Sequence, residues 1–260
     1  MRSTGTVNHV FRLGRSLAVR VPRSKEAVAD LDNEARLLPR LAPLLPLRVP
    51  EPVAYGRPGE GVPVSWAVYR WLAGSPYDDG LVTDEVGAAV DLAGFVTALR
   101  AIDPKGVSPA GRAPLLTLDD ATRSALAASD GIDKPSAIAA WDRALAAPPW
   151  DGRDGVLIHA DLLRPNLLVV AGRIDAVMDF GSAGVGDPAA DVIAAWTVFR
   201  TAGRAAYLGA LGVDPPTVER ARGFALTQAA LIIPYYTKSN PGLAAHARRT
   251  IAEILADLTG

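Results

Sequence analysis

The sequence predicts an α+β fold of two lobes: a small N-terminal sheet lobe over 1–74 and a larger, mainly helical C-terminal lobe over 75–260. Three observations predict it. Short apolar segments separated by turn signals fill the first 74 residues, helical stripes dominate from Thr83 onward, and two strand-like segments interrupt that helical half. The interrupting segments, VLIHADLLRPNLLVV (156–170) and AVMDF (176–180), are nearly all apolar yet carry His159, Asp161, Arg164, Asn166 and Asp179.

Taken in order, GTVNHVFRLGRSLAVRVP (5–22) reads as two strands joined by a Leu-Gly-Arg-Ser turn. SKEAVADLDNEARLLPRLAP then carries Ala27, Leu31, Leu38 and Leu41 on one helical stripe, and Glu34 falls on that same stripe. RVPEPVAYG (48–56) and SWAVYRWLAG (65–74) read as a second strand pair, and the hinge between lobes is expected near Arg70–Gly74. Beyond it, Thr83 is the expected N-cap of a helix whose stripe runs Val86, Ala89, Ala93, Val96, Leu99. Further helices are expected around 117–129 and 135–147. After DFGSAGVGDPAAD (179–191) the chain reads as helical to its end, with Asp214-Pro215 and Asn240-Pro241 as N-cap and first-turn pairs.

Composition narrows the function. Apolar residues make up 49%, charged residues 21%, and the formal net charge is −1, so no basic patch points to nucleic acid or a membrane surface. Cysteine is absent and the three histidines are scattered, which removes thiolate chemistry, disulfides and a Cys/His zinc site. No apolar run reaches membrane-spanning length, and MRSTGTVNHVFRLGR lacks the apolar stretch of a signal peptide, so the expected location is the cytoplasm.

A carboxylate among core strands is costly unless paired or bound to a metal. The tight reversal at Ala171-Gly172-Arg173 would bring Asp179 back beside Asn166, and Asp161 lies five residues before Asn166. Two carboxylates and an amide oxygen at one sheet edge suit Mg²⁺, which shares its shell with substrate phosphates. The remaining aspartate can then accept a proton from an attacking hydroxyl, which is what phosphoryl transfer asks of a protein.

The spacing H-x-D-x-x-x-x-N, with D-F-G following thirteen residues after Asn166, resembles the catalytic loop and metal motif of protein kinases. In its longer form, HADLLRPNLL with MDFGSAGVGDPAAD, it resembles the aminoglycoside phosphotransferase family of antibiotic kinases. GTVNHVFRLG, LAVRVP, NEARLLPRL, VPEPVAYG and LTQAALIIPYYTKSNPGLAAHARR resemble the rest of that family in order and spacing. The resemblance implies a protein-kinase-like fold and an ATP- or GTP-dependent transfer of the γ-phosphate to a hydroxyl of a small molecule, an antibiotic such as an aminoglycoside. It implies Asp161 as catalytic base, Asn166 and Asp179 as Mg²⁺ ligands, and Arg20 where the kinase pattern has its phosphate-binding lysine, with Glu34 as partner. It also implies adenine contacts from the backbone of Arg70, Trp71 and Leu72 with Tyr69 just inside, and a phosphate-covering loop from Gly5 to Asn8. Two departures stand out, a planar guanidinium in place of a compact ammonium at Arg20 and a single glycine in the GTVN loop; Ala160, where the family usually has glycine, is a milder change.

Other readings compete. His159 reads as a structural residue, Asp187 and Asp191 as braces of the next helix, and Arg248-Arg249 as a solvated face. Trp196, Phe199, Tyr207, Tyr235 and Tyr236 read as core or pocket wall. Beside an antibiotic kinase stand a choline- or homoserine-like metabolite kinase, a nucleotide-binding pseudokinase module motivated by Arg20, and a metal-dependent phosphoesterase using Asp161, Asp179 and Asp187. Asp130, Asp133, Asp214 and Glu219 could serve a cationic acceptor, but the aromatic content of the same half fits an apolar one equally well.

Overall fold

Period-two alternation in the N-terminal segment closes into a five-stranded antiparallel sheet. The computed structural model describes residues 2–4, 8–59, 61–153 and 155–259. β1 (Arg2–Thr4), β2 (Asn8–Leu13), β3 (Leu17–Pro22), β4 (Pro52–Gly56) and β5 (Trp66–Arg70) lie in the order β1-β2-β3-β5-β4. In β3, Ala18, Arg20 and Pro22 share the buried face, so register alone turns the Arg20 side chain inward, opposite Ala67 of β5. The expected strands at 48–56 and 65–74 form, but shorter at their ends.

Helix α1 (Glu26–Leu41) crosses this sheet with Ala27, Leu31, Glu34, Leu38 and Leu41 buried, the stripe read from the sequence. Helix α2 (Glu85–Arg100) starts one residue later than expected. Asp84 is the N-cap, accepting from the Gly87 amide at 2.9 Å, because the Thr83 amide and hydroxyl turn to the Gly172 carbonyl. Val86, placed on the core stripe by sequence, is 46% exposed; Ala88, Leu92 and Phe95 bury instead.

α3 (Asp119–Ala128) and α4 (Lys134–Leu145) follow close to their expected spans. The strands that carry the polar insertions form two small sheets. β6 (Ser75–Pro76), β8 (Leu167–Val170) and β9 (Arg173–Val177) make one, and β7 (Val156–Ile158) pairs with β10 (Gly184–Gly186) in the other. Ala171 and Gly172, both at positive φ (49° and 81°), form the two-residue reversal between β8 and β9. β10 lies within DFGSAGVGDPAAD, a stretch to which the sequence assigned no element. Its two glycines hide the strand from pattern reading, and a Cβ at Gly184 would sit 2.6 Å from the Ala110 amide nitrogen.

The remaining helices are α5 (Ala189–Val192), α6 (Ala194–Thr197), α7 (Thr201–Leu211), α8 (Pro215–Tyr236) and α9 (Pro241–Thr259). Asp214 caps α8 through the Thr217 amide at 2.7 Å, and Asn240 accepts from the Leu243 amide at 3.2 Å, as the Asp-Pro and Asn-Pro pairs indicated. Arg249 corrects another expectation: it is half-buried and donates to the carbonyls of Trp196, Thr197, Val198 and Phe199. One continuous core joins Leu38, Leu41 and Tyr69 to Phe95, Phe180, Trp196 and Tyr207. Phe180 is the connecting piece, edge-on to Phe95 at 6.4 Å and to the His159 ring at 4.7 Å. Burying such a ring contributes about 1.5–3 kcal/mol, so the residue after Asp179 is anchored by packing. No helix among the described residues is long and apolar enough to cross a membrane.

Candidate active site

The loop between β7 and β8 is fixed by backbone bonds before its functional side chains are considered. Buried Asp191 of α5 accepts the amides of His159 and Ala160, both at 2.8 Å. The sequence suggested a helix brace at this position; the carboxylate instead braces the loop. The His159 ring is wholly buried, accepting the Asp161 amide on Nδ1 at 3.2 Å and donating from Nε2 to the Met178 carbonyl at 2.9 Å. These two partners select the Nε2–H tautomer and tie the loop to the strand leading into Asp179. Ala160 adopts φ +67°, a left-handed conformation costing an alanine about 1–2 kcal/mol, which explains the advantage of glycine there.

The three predicted oxygen-bearing residues come together in a chain of contacts. Asn166 donates from Nδ2 to Oδ2 of Asp161 at 2.8 Å and to its backbone carbonyl at 2.9 Å. With the amide nitrogen committed, Oδ1 of Asn166 is the atom left for a cation. The Met178 amide donates to the Asn166 carbonyl at 2.7 Å, setting Asp179 beside it. Asp179, at φ +65°, has a side chain 41% exposed and 3.6 Å from the Arg20 guanidinium. Asn166 and Asp179 thus offer hard oxygens that fit Mg²⁺. Among the described residues no three acidic or histidine side chains form a metal cage, so such an ion would complete its shell with phosphates and water.

Behind Asp179 lies a buried charged cluster. Glu34, with no exposed surface, takes Arg20 at 2.5 Å and the Tyr69 hydroxyl at 2.9 Å on Oε2, and the Phe180 amide at 2.9 Å on Oε1. Burial works against the charge on Arg20, and the carboxylates of Glu34 and Asp179 more than offset it, holding the guanidinium above its ordinary range. Asn33, which carried no signal in the sequence, donates to the carbonyls of Gly181 and Ala183 at 2.9 and 2.7 Å. A Cβ on Gly181 would come within 2.7 Å of the Asp30 Cβ, so glycine lets α1 approach the DFG turn this closely.

The residues expected to contact adenine differ in how far protein partners already engage them. Tyr69 is buried with its hydroxyl on Glu34, so it supports Arg20, whose guanidinium lies 5.4 Å above its ring. The amides of Arg70 and Trp71 donate to the carbonyls of Glu51 and Ser16, at 2.9 and 2.8 Å, and Arg12 covers the Trp71 ring. Of these three hinge amides, Leu72 alone has no protein acceptor among the described residues. Asn8 is buried with an unpartnered Oδ1. Gly5 and the rest of the expected loop up to Val7 lie outside the described residues.

On the opposite flank, α8 and α9 enclose a cavity of about 20 Å³ bordered by Leu163, Ala225, Gln228, Ile232, Leu243 and His246. Gln228 donates from Nε2 to Oδ1 of Asp161 at 2.5 Å, and Arg112 donates to the Gln228 Oε1 at 2.9 Å. Burial pushes the Arg112 guanidinium below its ordinary value, against the pull of Asp161 and Asp191. Asp187 pairs with Arg220 at 2.8 Å and accepts the Ala189 amide at 2.9 Å, a structural arrangement of the kind its GDPAAD context suggested. Sequence reasoning gave no role to Arg112 or to Gln228, although Gln228 lies within LTQAALIIPYYTKSNPGLAAHARR.

A model described as the phosphotransferase enzyme family, APH, matches residues 2–224. No curated protein matches the chain. Similar solved structures include the GDP and kanamycin complex of APH(2″)-IIIa, 20% identical with a TM-score of 0.75 over 98% of this chain and 92% of that one. Macrolide 2′-phosphotransferase MphH from Brachybacterium faecium is 23% identical, with a TM-score of 0.59 over 95% and 89% of the two chains. The streptomycin–ATP ternary complex of APH(2″)-IIa is 17% identical, with a TM-score of 0.60 over 96% and 90%. These likenesses establish a common kinase-like α+β fold. The family match over most of the length, together with that fold, places this chain in the phosphotransferase enzyme family as a small-molecule kinase.

Proposed function

We propose that the protein transfers the γ-phosphate of ATP or GTP to a hydroxyl of a small antibiotic molecule, within the cytoplasm. The observation that carries this reading is the contact chain Asp161–Asn166–Met178/Asp179–Arg20, which aligns a carboxylate base, two hard-oxygen ligands and a phosphate-binding cation along one edge. Residues 1–74 act as the nucleotide lobe and residues 75–260 as the catalytic and acceptor lobe. Arg20, oriented by Glu34, holds the α- and β-phosphates. The Leu72 amide meets the base, and the segment ending at Asn8 covers the phosphates. Asn166 and Asp179 would hold Mg²⁺, which when bound neutralises charge on the transferring group. Asp161 orients the acceptor hydroxyl and takes its proton on a carboxylate oxygen as the new P–O bond forms and the bond from the γ-phosphorus to the bridging oxygen breaks, releasing the nucleoside diphosphate.

Structural neighbours in complex with kanamycin and with streptomycin, and a macrolide phosphotransferase, support an antibiotic acceptor. The cavity wall next to Asp161 has no carboxylate and includes Arg164 and His246. Burial, with help from Arg164 and Arg249, lowers the His246 pKa and favours its neutral form. With no carboxylate in the lining itself and the nearby Asp79 already paired with Arg164, the wall supports a weakly charged, largely apolar acceptor of macrolide type over an aminoglycoside. At about 20 Å³ the cavity has room for no more than a water-sized group. The test is a mass-shift screen with Mg²⁺ and ATP or GTP against macrolides, aminoglycosides, choline and homoserine. Phosphorylated macrolide is the expected product. Phosphorylated aminoglycoside or small alcohol would overturn the acceptor class, and nucleotide binding without any product would overturn the enzymatic reading.

A further inference from the structure

The carboxylate of Asp161 is held at both oxygens, and only one of its two partners belongs to the catalytic loop. Asn166 occupies Oδ2 at 2.8 Å. Oδ1 is met at 2.5 Å by Gln228, sixty-seven residues away on α8. An amide can present either its oxygen or its nitrogen, but here the choice is forced. Arg112 donates to Oε1 at 2.9 Å, and a guanidinium has no acceptor to offer. A carboxylate has no donor to offer, so the NH₂ group must face Asp161. Flipping the amide would forfeit both bonds.

Arg112 is itself anchored to the same loop. Its Nε and Nη2 donate to the Ala160 carbonyl at 2.9 and 2.6 Å, and the residues just before it are tied down, Ala110 to the Val185 carbonyl and Gly111 to that of Ser182. The bonds form a closed ring: Asp161, Gln228, Arg112, the Ala160 carbonyl, and back through the peptide. Ala160, at φ +67°, is part of this ring.

We propose that Gln228, oriented by Arg112, is a positioning residue that sets the angle of the Asp161 carboxylate and links it to the α8 wall of the acceptor cavity. This rests on Asp161 being the base. A rival structural role, in which Gln228 only satisfies Arg112, makes opposite predictions for two substitutions. Gln228→Met removes both bonds at similar volume. Gln228→Glu keeps and strengthens the bond to Arg112 but sets a like charge against Asp161.

Turnover is read as ADP release from Mg²⁺ and ATP at saturating nucleotide, with water as acceptor. The expected result is a kcat about 10- to 100-fold lower for Gln228→Met, lower still for Gln228→Glu, and an unchanged nucleotide KM in both. Gln228→Glu matching or exceeding Gln228→Met would assign the residue to Arg112 alone and overturn the proposal. In an Asp161→Asn background, Gln228→Met should change kcat by less than about 2-fold, because its effect passes through Asp161. A full effect there would also overturn it. If Asp161→Asn alone leaves turnover intact, the base assignment is what fails. Where turnover to water is too slow to rank variants, the Gln228 side-chain amide resonance in ¹⁵N-labelled protein decides: Asp161→Asn should move it, and an unmoved resonance contradicts the proposed contact.

Discussion

The two flanks of the catalytic loop are built from opposite materials. On the sheet side, Arg20, Glu34, Tyr69 and the Phe180 amide form a buried charged cluster in which every bond of Glu34 is accounted for. On the helical side, Leu163, Ala225, Ile232 and Leu243 make an apolar wall that approaches the chemistry through a single amide, Gln228. The difference suits the tasks proposed for the two flanks. Phosphates and a cation need fixed charges, and charges inside a protein need a complete set of partners. A hydroxyl acceptor of low charge needs shape and one well-placed polar group.

Substitutions on each flank sharpen this contrast. The largest effect is expected at the shared centre: Asp161→Asn should lower kcat about 10²- to 10⁴-fold and leave nucleotide affinity unchanged, checked by initial rates and calorimetry. On the charged flank, Glu34→Ala strands Arg20 and the Phe180 amide. A loss of about 3–5 kcal/mol in stability should show in denaturant unfolding, since breaking one half of a buried ion pair leaves the other uncompensated. A loss under about 1 kcal/mol, the surface-pair range, would mean water reaches the cluster. On the loop between the flanks, Ala160→Gly removes left-handed strain and should raise stability by about 1 kcal/mol, seen as a melting temperature about 2–4 °C higher.

The smallest effect belongs to the apolar flank and depends on pH. The His246 pKa is lowered in the folded state, so below the unfolded value of about 6.5 the unfolded chain takes up the proton first. Its contribution is present above that pH and fades as pH falls through the folded value. His246→Gln should therefore flatten the acid-side decline in unfolding midpoint. An equally steep decline in the variant would place the titration elsewhere.

The charged flank was readable because its chemistry is local or periodic. Glu34 announced itself as a carboxylate on an apolar stripe, Arg20 through its place in LAVRVP, where the resemblance puts the phosphate-binding cation, and Asp161, Asn166 and Asp179 through spacing within two apolar segments. The supports of that chemistry were not readable. Asp191 was expected to brace a helix and instead takes two loop amides, while Asn33 looked like any exposed polar residue before the DFG turn came to rest on it. Arg112 and Gln228 reach the loop across forty-eight and sixty-seven residues, and a bond between such distant residues leaves no periodic trace in the sequence. The same holds for Arg249, whose four carbonyl partners exist only after α6 and α9 pack.

The central claim is that Asn166 and Asp179 grip a magnesium–nucleotide complex while Asp161 stands apart as the base. Titration calorimetry of ADP and ATP with and without Mg²⁺, on the native protein and on Asp179→Ala and Asp161→Ala, addresses it most directly. The account predicts that Asp179→Ala loses the magnesium-dependent part of the affinity and that Asp161→Ala retains it. A magnesium-dependent affinity that survives Asp179→Ala unchanged would contradict it.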